Sequence, residues 1–230
     1  LLLQRYEALL DTLATKFPRT VPYFVIGNEV DVYLDKHRDE LAGFQQFLLA
    51  AMHAVRQRFP QAQIGVSVTY EGYLSDRKDI ISLMIAASDT AFFTFYPQVA
   101  MKFFPPDETP AQLDILISAA QNKPVLLQEV GYPSGSKTSS EAIQAEFFRV
   151  IIPAIQARQQ IKLASLFALH DFEPKLCDML AGYYGVSGIM SLMPWVTEFK
   201  AFLCTLGLKT SDGQPKQAWN VVMESLAHNR

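Results

Sequence analysis

Short apolar runs alternate along the chain with longer stretches in which apolar residues recur every three or four positions. The runs at 21–27, 63–69, 91–96, 123–128 and 161–169 are rich in Val, Ile or Phe and alternate little, the pattern of strands buried on both faces. Helical periodicity predicts helices over about 39–59, 76–87, 110–121 and 139–157, and again over 194–206 and 214–227. Residues 1–17 read as an amphipathic helix with Leu2, Leu3, Tyr6, Leu9, Leu10 and Leu13 on one face.

Punctuation agrees with these boundaries. Phe17-Pro18 and Phe59-Pro60 each end a helix before a strand, and Thr109-Pro110 places a capping residue before a proline at the first helical position. Ser139 or Ser140, with Glu141, caps the following helix, and 211–215 is a turn. Strand, helix and strand in this order argue for a parallel sheet with right-handed crossovers. The strand starts lie about 35 residues apart, so eight units would need about 280 residues, near the roughly 250 of an eight-stranded β/α barrel. The expectation is an α/β fold: an incomplete TIM (β/α)8 barrel, strands 4–8 present and strands 1–3 missing, forming one N-terminally truncated domain over 1–230. The alternative is an open doubly wound sheet, but no glycine-rich phosphate loop follows any strand.

Composition narrows the function. Of 230 residues, 50% are hydrophobic and 19% charged, which suits a large core. The net charge of −3 comes without a basic stripe, so nothing points to nucleic acid. No apolar run reaches the roughly 18 residues of a membrane-spanning helix. Cys177 and Cys204 have no metal-ligand spacing; two buried thiols are the expected state, with a single disulfide as the alternative.

Two glutamates stand at the ends of apolar runs, where a parallel β/α enzyme keeps its chemistry: Glu29 in Gly27-Asn28-Glu29-Val30, and Glu129 in Gln128-Glu129-Val130-Gly131-Tyr132-Pro133. A charge placed there is costly unless it is paired or used. A pair of carboxyl groups is what glycoside cleavage needs: one protonated to donate to the leaving oxygen, the other ionised to attack the anomeric carbon. A gap of about 5–5.5 Å gives retention, and about 6.5–9.5 Å gives inversion.

Ile26-Gly27-Asn28-Glu29-Val30 resembles the fourth-strand motif of glycoside hydrolase clan A. The segment 128–135 resembles the clan's seventh-strand nucleophile segment, with local likeness to the Glu-x-Gly-aromatic-Pro stretch of family-17 glucanases. The resemblance implies Glu29 as general acid/base, Glu129 as nucleophile, Asn28 on the sugar 2-hydroxyl, a retaining mechanism and no cofactor. It also implies Tyr96, in Thr94-Phe95-Tyr96-Pro97, as the hydroxyl touching the nucleophile, and Tyr132 as a further carbohydrate contact. A secreted or periplasmic location follows from the same likeness. The clan's eighth-strand Trp is replaced by Leu169-His170-Asp171-Phe172, so His170 or Phe172 is expected to floor the sugar site.

Asp31, Tyr33 and Asp35 read as a solvated loop, and Tyr70, Glu71 and Tyr73 as loop packing or sugar contacts, with Glu71 placed to orient Glu29. His37, His53 and His228 read as surface residues, and Asp107-Glu108 as a solvated loop. No metal-ligand spacing occurs. The expected function is hydrolysis of a β-linked oligo- or polysaccharide, its partner a carbohydrate. The alternatives are a non-catalytic carbohydrate-binding barrel, or a lyase or aldolase, for which a strand-end lysine or metal cluster is lacking.

Overall fold

The computed structural model describes residues 1–17, 20–183 and 193–227; the expectations for Pro18 and His228 lie outside them. The first elements are α1 (Leu2–Lys16), β1 (Tyr23–Val25), α2 (Val30–Lys36), α3 (Leu41–Arg58), β2 (Gln63–Gly65), β3 (Ser67–Thr69), α4 (Tyr70–Tyr73), α5 (Lys78–Ala87) and β4 (Ala91–Phe95). There follow β5 (Gln98–Val99), β6 (Lys102–Phe103), α6 (Thr109–Ala119), β7 (Val125–Val130), α7 (Glu141–Gln156), β8 (Ile161–Leu166), α8 (Pro174–Tyr183), α9 (Pro194–Cys204) and α10 (Gln217–Ala227). The chain forms two compact units. One comprises Leu1–Thr94, Leu116–Gln128 and Gln160–Leu163; the other comprises Phe95–Ile115, Glu129–Gln159 and Ala164–Arg230.

In the first unit, β1 pairs parallel with β2 in register Tyr23↔Gln63, and β3 pairs parallel with β4 in register Ser67↔Phe92. The strand order β3-β4-β7-β8 makes a four-stranded sheet, and the described strands do not close into a barrel. The run at 63–69 is two strands rather than one, because Val66 donates its N–H to the Ser88 hydroxyl (3.3 Å). Gly65 permits that approach: a Cβ there would lie 2.6 Å from Ser88 Cβ and 2.9 Å from the Phe92 ring. Lys123 closes the C-terminus of α5, donating to the carbonyls of Ile85 (2.6 Å), Ala86 (2.8 Å) and Ser88 (2.6 Å). A cation there suits the negative end of the helix dipole.

Two expectations are corrected among these elements. In α1, Leu10 is fully buried and Tyr6 meets Phe47 of α3 edge-on, but Leu2 and Leu9 are exposed. The inner face is the narrower stripe of Leu3, Tyr6, Leu10 and Leu13, which follows the 3.6-residue period more closely. Nor are all strands buried on both faces. Every residue of β4 is buried, whereas β8, last in the sheet order, exposes Lys162, Leu163 and Ser165, and β1 is half-buried throughout.

In the second unit, the Ser140 hydroxyl accepts from the N–H of Ile143 (3.2 Å) and caps α7. The α7 face bearing Phe147, Phe148 and Ile151 is buried. Thr109 is no cap: it lies inside the helix start, and its hydroxyl donates to the Pro106 carbonyl (2.7 Å). Cys177 of α8 and Cys204 of α9 form a disulfide with Cα atoms 5.7 Å apart, within the usual range, in place of the expected thiols.

Candidate active site

Glu29 belongs to the first unit. After β1 the chain stays in register with the next strand, Ile26 donating to Gly65 O and Ser67 to Gly27 O (2.8 Å each). It then turns at Glu29, the residue before α2, with φ 48° and ψ 43°. Glu29 is therefore not the last residue of a strand but the hinge between loop and helix. Left-handed backbone costs an L-residue about 1–2 kcal/mol and persists only where the surroundings enforce it. One such hold is Thr94 on β4, 1% exposed, whose hydroxyl donates to Glu29 Oε1 at 2.8 Å.

Asn28 is exposed, and its Oδ1 accepts from Gln128 Nε2 at 2.9 Å. Gln128 Oε1 is buried without a partner within the protein. Asp31 is not in a solvated loop. It is fully buried, accepts from the Thr69 N–H (2.9 Å) and hydroxyl (2.7 Å), and lies 3.5 Å from Arg77. Burial pushes its pKa up, against those donors. Glu71 faces Arg77 (3.5 Å). Tyr70 is core; Tyr33 is exposed, stacked on His37 and donating to Glu40 (3.0 Å).

Glu129 belongs to the second unit. It is half-buried near the end of β7 and accepts from the Tyr96 hydroxyl at 2.6 Å. Burial raises the Glu129 pKa, and the Tyr96 hydrogen bond opposes that rise. Tyr96 is held edge-on by Phe167 (6.5 Å between ring centroids) and Phe202 (5.2 Å). Gly131 makes room for it: a Cβ there would lie 2.6 Å from the Tyr96 ring and 2.7 Å from Phe167 O.

One expected carbohydrate contact, Tyr132, lies in the core, and another, His170, lies at the surface. Tyr132 is 1% exposed, stacks on Phe147 (4.9 Å) and donates to Phe104 O (3.0 Å), so it is a packing residue. His170 is exposed, with Nδ1 3.2 Å from Thr210 O. Within 167–172 the aromatic that meets Tyr96 is Phe167, with Phe172 against it (6.1 Å). The sequence points to His170 and Phe172 here; Phe167 is singled out only by its packing on Tyr96. Also unforeseen is Lys216, 3% exposed, which donates to Asp171 (2.6 Å) and Ser134 (3.0 Å).

The raised pKa of Glu129 has a measurable consequence. A carboxyl group that holds its proton more tightly when folded adds stability below its unfolded value, about 4.3, and that contribution is lost as pH rises through the folded value. Glu129→Gln keeps an acceptor for Tyr96 and removes the buried charge. Its melting temperature should exceed that of the wild type at pH 7, and the difference should close toward pH 4.

Among the described residues no group of His, Cys, Asp and Glu is arranged to hold a metal ion, and no helix is long and apolar enough to cross a membrane. No family model and no curated protein matches the sequence. Solved structures do match. The GH5_18 variant from Streptomyces cattleya in complex with Manb1-4GlcNAc has a TM-score of 0.68 at 16% identity, covering 99% of this chain and 53% of its own. Xylanase 10B from Thermotoga maritima has a TM-score of 0.62 at 16% identity, covering 99% of this chain and 67% of its own. The Bifidobacterium dentium beta-glucuronidase has a TM-score of 0.55 at 18% identity, covering 80% of this chain and 27% of its own. The chain spans about half the length of the GH5_18 structures it matches. It has the α/β fold, with parallel strands, of glycoside hydrolases built on TIM barrels.

Proposed function

We propose that this chain carries the catalytic carboxylates of a retaining glycoside hydrolase acting on β-linked oligo- or polysaccharides, Glu29 the general acid/base and Glu129 the nucleophile. On this reading β1, the β2–β3 pair, β4, β7 and β8 are the fourth to eighth strands of a (β/α)8 barrel. The local likeness of 128–135 to family-17 glucanases belongs to the same proposal. The observation that carries it is the pair of hydroxyl donors two residues apart in the chain: Thr94 bonds Glu29, and Tyr96 bonds Glu129.

In the first step Glu129 attacks the anomeric carbon while Glu29 gives its proton to the departing glycosidic oxygen. In the second, ionised Glu29 takes a proton from water, the water oxygen bonds the anomeric carbon, and Glu129 leaves as a carboxylate. The Tyr96 hydroxyl favours the ionised Glu129 that attack requires, and the Asn28 amide hydrogens suit the sugar 2-hydroxyl. The Gln128 amide, bonded to Asn28 Oδ1, fixes which way that amide faces.

The test is hydrolysis of 4-nitrophenyl β-glucoside, mannoside, galactoside and xyloside, and of the matching disaccharides, followed by proton NMR. The β-anomer should be the first product. Release of the α-anomer first, or no release from any of the panel, overturns the proposal.

A further inference from the structure

The Glu29 carboxylate has to be an acid in one step and a base in the next, so whatever touches it sets the balance between the two forms. Thr94 touches it directly. Its backbone is fixed in β4, whose five residues are all buried, and its β-branched side chain has little χ1 freedom. The 2.8 Å bond runs from the threonine hydroxyl to a carboxylate oxygen. A donor to that oxygen stabilises the ionised form. A hydroxyl can also turn and accept, so the contact survives when Glu29 carries the proton, though less strongly than a charge-assisted bond.

We propose that Thr94 is a positioning residue for Glu29, holding its carboxylate against the strained turn before α2 and biasing it toward the ionised form. The inference deepens the glycosidase reading and rests on it for its catalytic meaning, but the bond itself can be tested without turnover. Of the charged neighbours on the elements around α2, Asp31 and Glu71 face Arg77, and Arg38 joins Asp35 and Asp79. Strands β3 and β4 carry no ionisable side chain. A Thr94 substitution therefore changes one contact to Glu29 and leaves those pairs in place.

The experiment is a carbon-13 NMR titration of side-chain carboxyl groups in the whole chain, the Glu29 signal being the one missing from Glu29→Gln. Thr94→Val keeps the shape and removes the hydroxyl; Thr94→Ser keeps the hydroxyl. Valine should move the Glu29 midpoint up by about half a pH unit or more, the size expected from one lost hydrogen bond, and serine should restore it. Repeating the titration in a Glu129→Gln background keeps any coupling to that carboxylate out of the comparison. In turnover, the alkaline limb of the pH–rate profile should shift the same way. An unmoved midpoint in Thr94→Val, or a serine variant that behaves like valine, overturns the inference. Absence of turnover in the wild type with a shifted midpoint overturns only the glycosidase reading.

Discussion

Glu129→Ala should lose turnover of any aryl β-glycoside the wild type cleaves, by about 10⁴-fold or more, because on the proposed reading the covalent intermediate then has no nucleophile from which to form. The chemistry of rescue is more diagnostic than the loss. With Glu129 shortened, azide can enter from the nucleophile's side and displace the aglycone once, giving a glycosyl azide of inverted, α configuration. With Glu29→Ala the glycosyl-enzyme still forms from a substrate with a good leaving group, and azide then captures it in a second displacement, giving the β-azide. Glu29→Ala should also cost about 10²–10⁴-fold on 4-nitrophenyl or alkyl glycosides, whose departure needs a proton, and much less on 2,4-dinitrophenyl glycosides. The two variants thus give opposite anomers if the roles are assigned correctly. A β-azide from Glu129→Ala, or wild-type rates from either variant, would falsify the assignment.

The parts of this site that local sequence reveals are those fixed by short-range chemistry. An acidic residue directly after an apolar run is visible because its cost is local, so Glu29 and Glu129 stand out from the sequence alone. Ser140 is legible as a cap for the same reason, since its hydroxyl meets an N–H three residues on. Asp31 is not legible: in sequence it looks like one of several polar residues after a strand, and only Thr69 and Arg77, 38 and 46 positions away, make it a buried carboxylate. Thr94 is hidden likewise, a small polar residue in an apolar strand whose partner lies 65 residues back. Tyr132 and His170 show what motif position leaves out. Motif position sent Tyr132 and His170 to the sugar, but side chains follow the packing of their own segment, so Tyr132 turns into the core against Phe147 and His170 turns out beside Thr210. The cysteine pair was ambiguous because a 27-residue separation says nothing about whether two helices place their Cα atoms within bonding range.

Gly207→Ala should be the most damaging single methyl group that can be added to this chain's described glycines. A Cβ at Gly207 would collide with Asp171 N and His170 C and would lie 2.6 Å from Lys209 O. All three are backbone atoms, so no side chain can rotate aside. The segment is also tied down on several sides. Leu208 donates to Ala168 O (2.9 Å) and Asp171 to Lys209 O (2.8 Å), while Gly207 N–H donates to Asp171 Oδ1 (2.8 Å). Gln144 donates to Gly207 O (3.2 Å). Relieving the clash means giving up part of that set and loosening Asp171 from Lys216, which would leave buried charges short of partners. The expected loss is about 3 kcal/mol or more, the upper end for an overpacked position, which in a chain of this size lowers the melting temperature by roughly 6–12 °C. Gly43→Ala is the control. Gly43 lies in α3 with nothing within 4 Å of an added Cβ, so alanine there should stabilise by about 0.5–1 kcal/mol through helix propensity. Because the clashing stretch begins just after Phe167, which packs on Tyr96, Gly207→Ala should also weaken the hold on Glu129. Chemical denaturation curves of the two variants decide the matter: a Gly207→Ala midpoint equal to that of the wild type would mean that the 168–171 and 206–209 segments do not approach this closely.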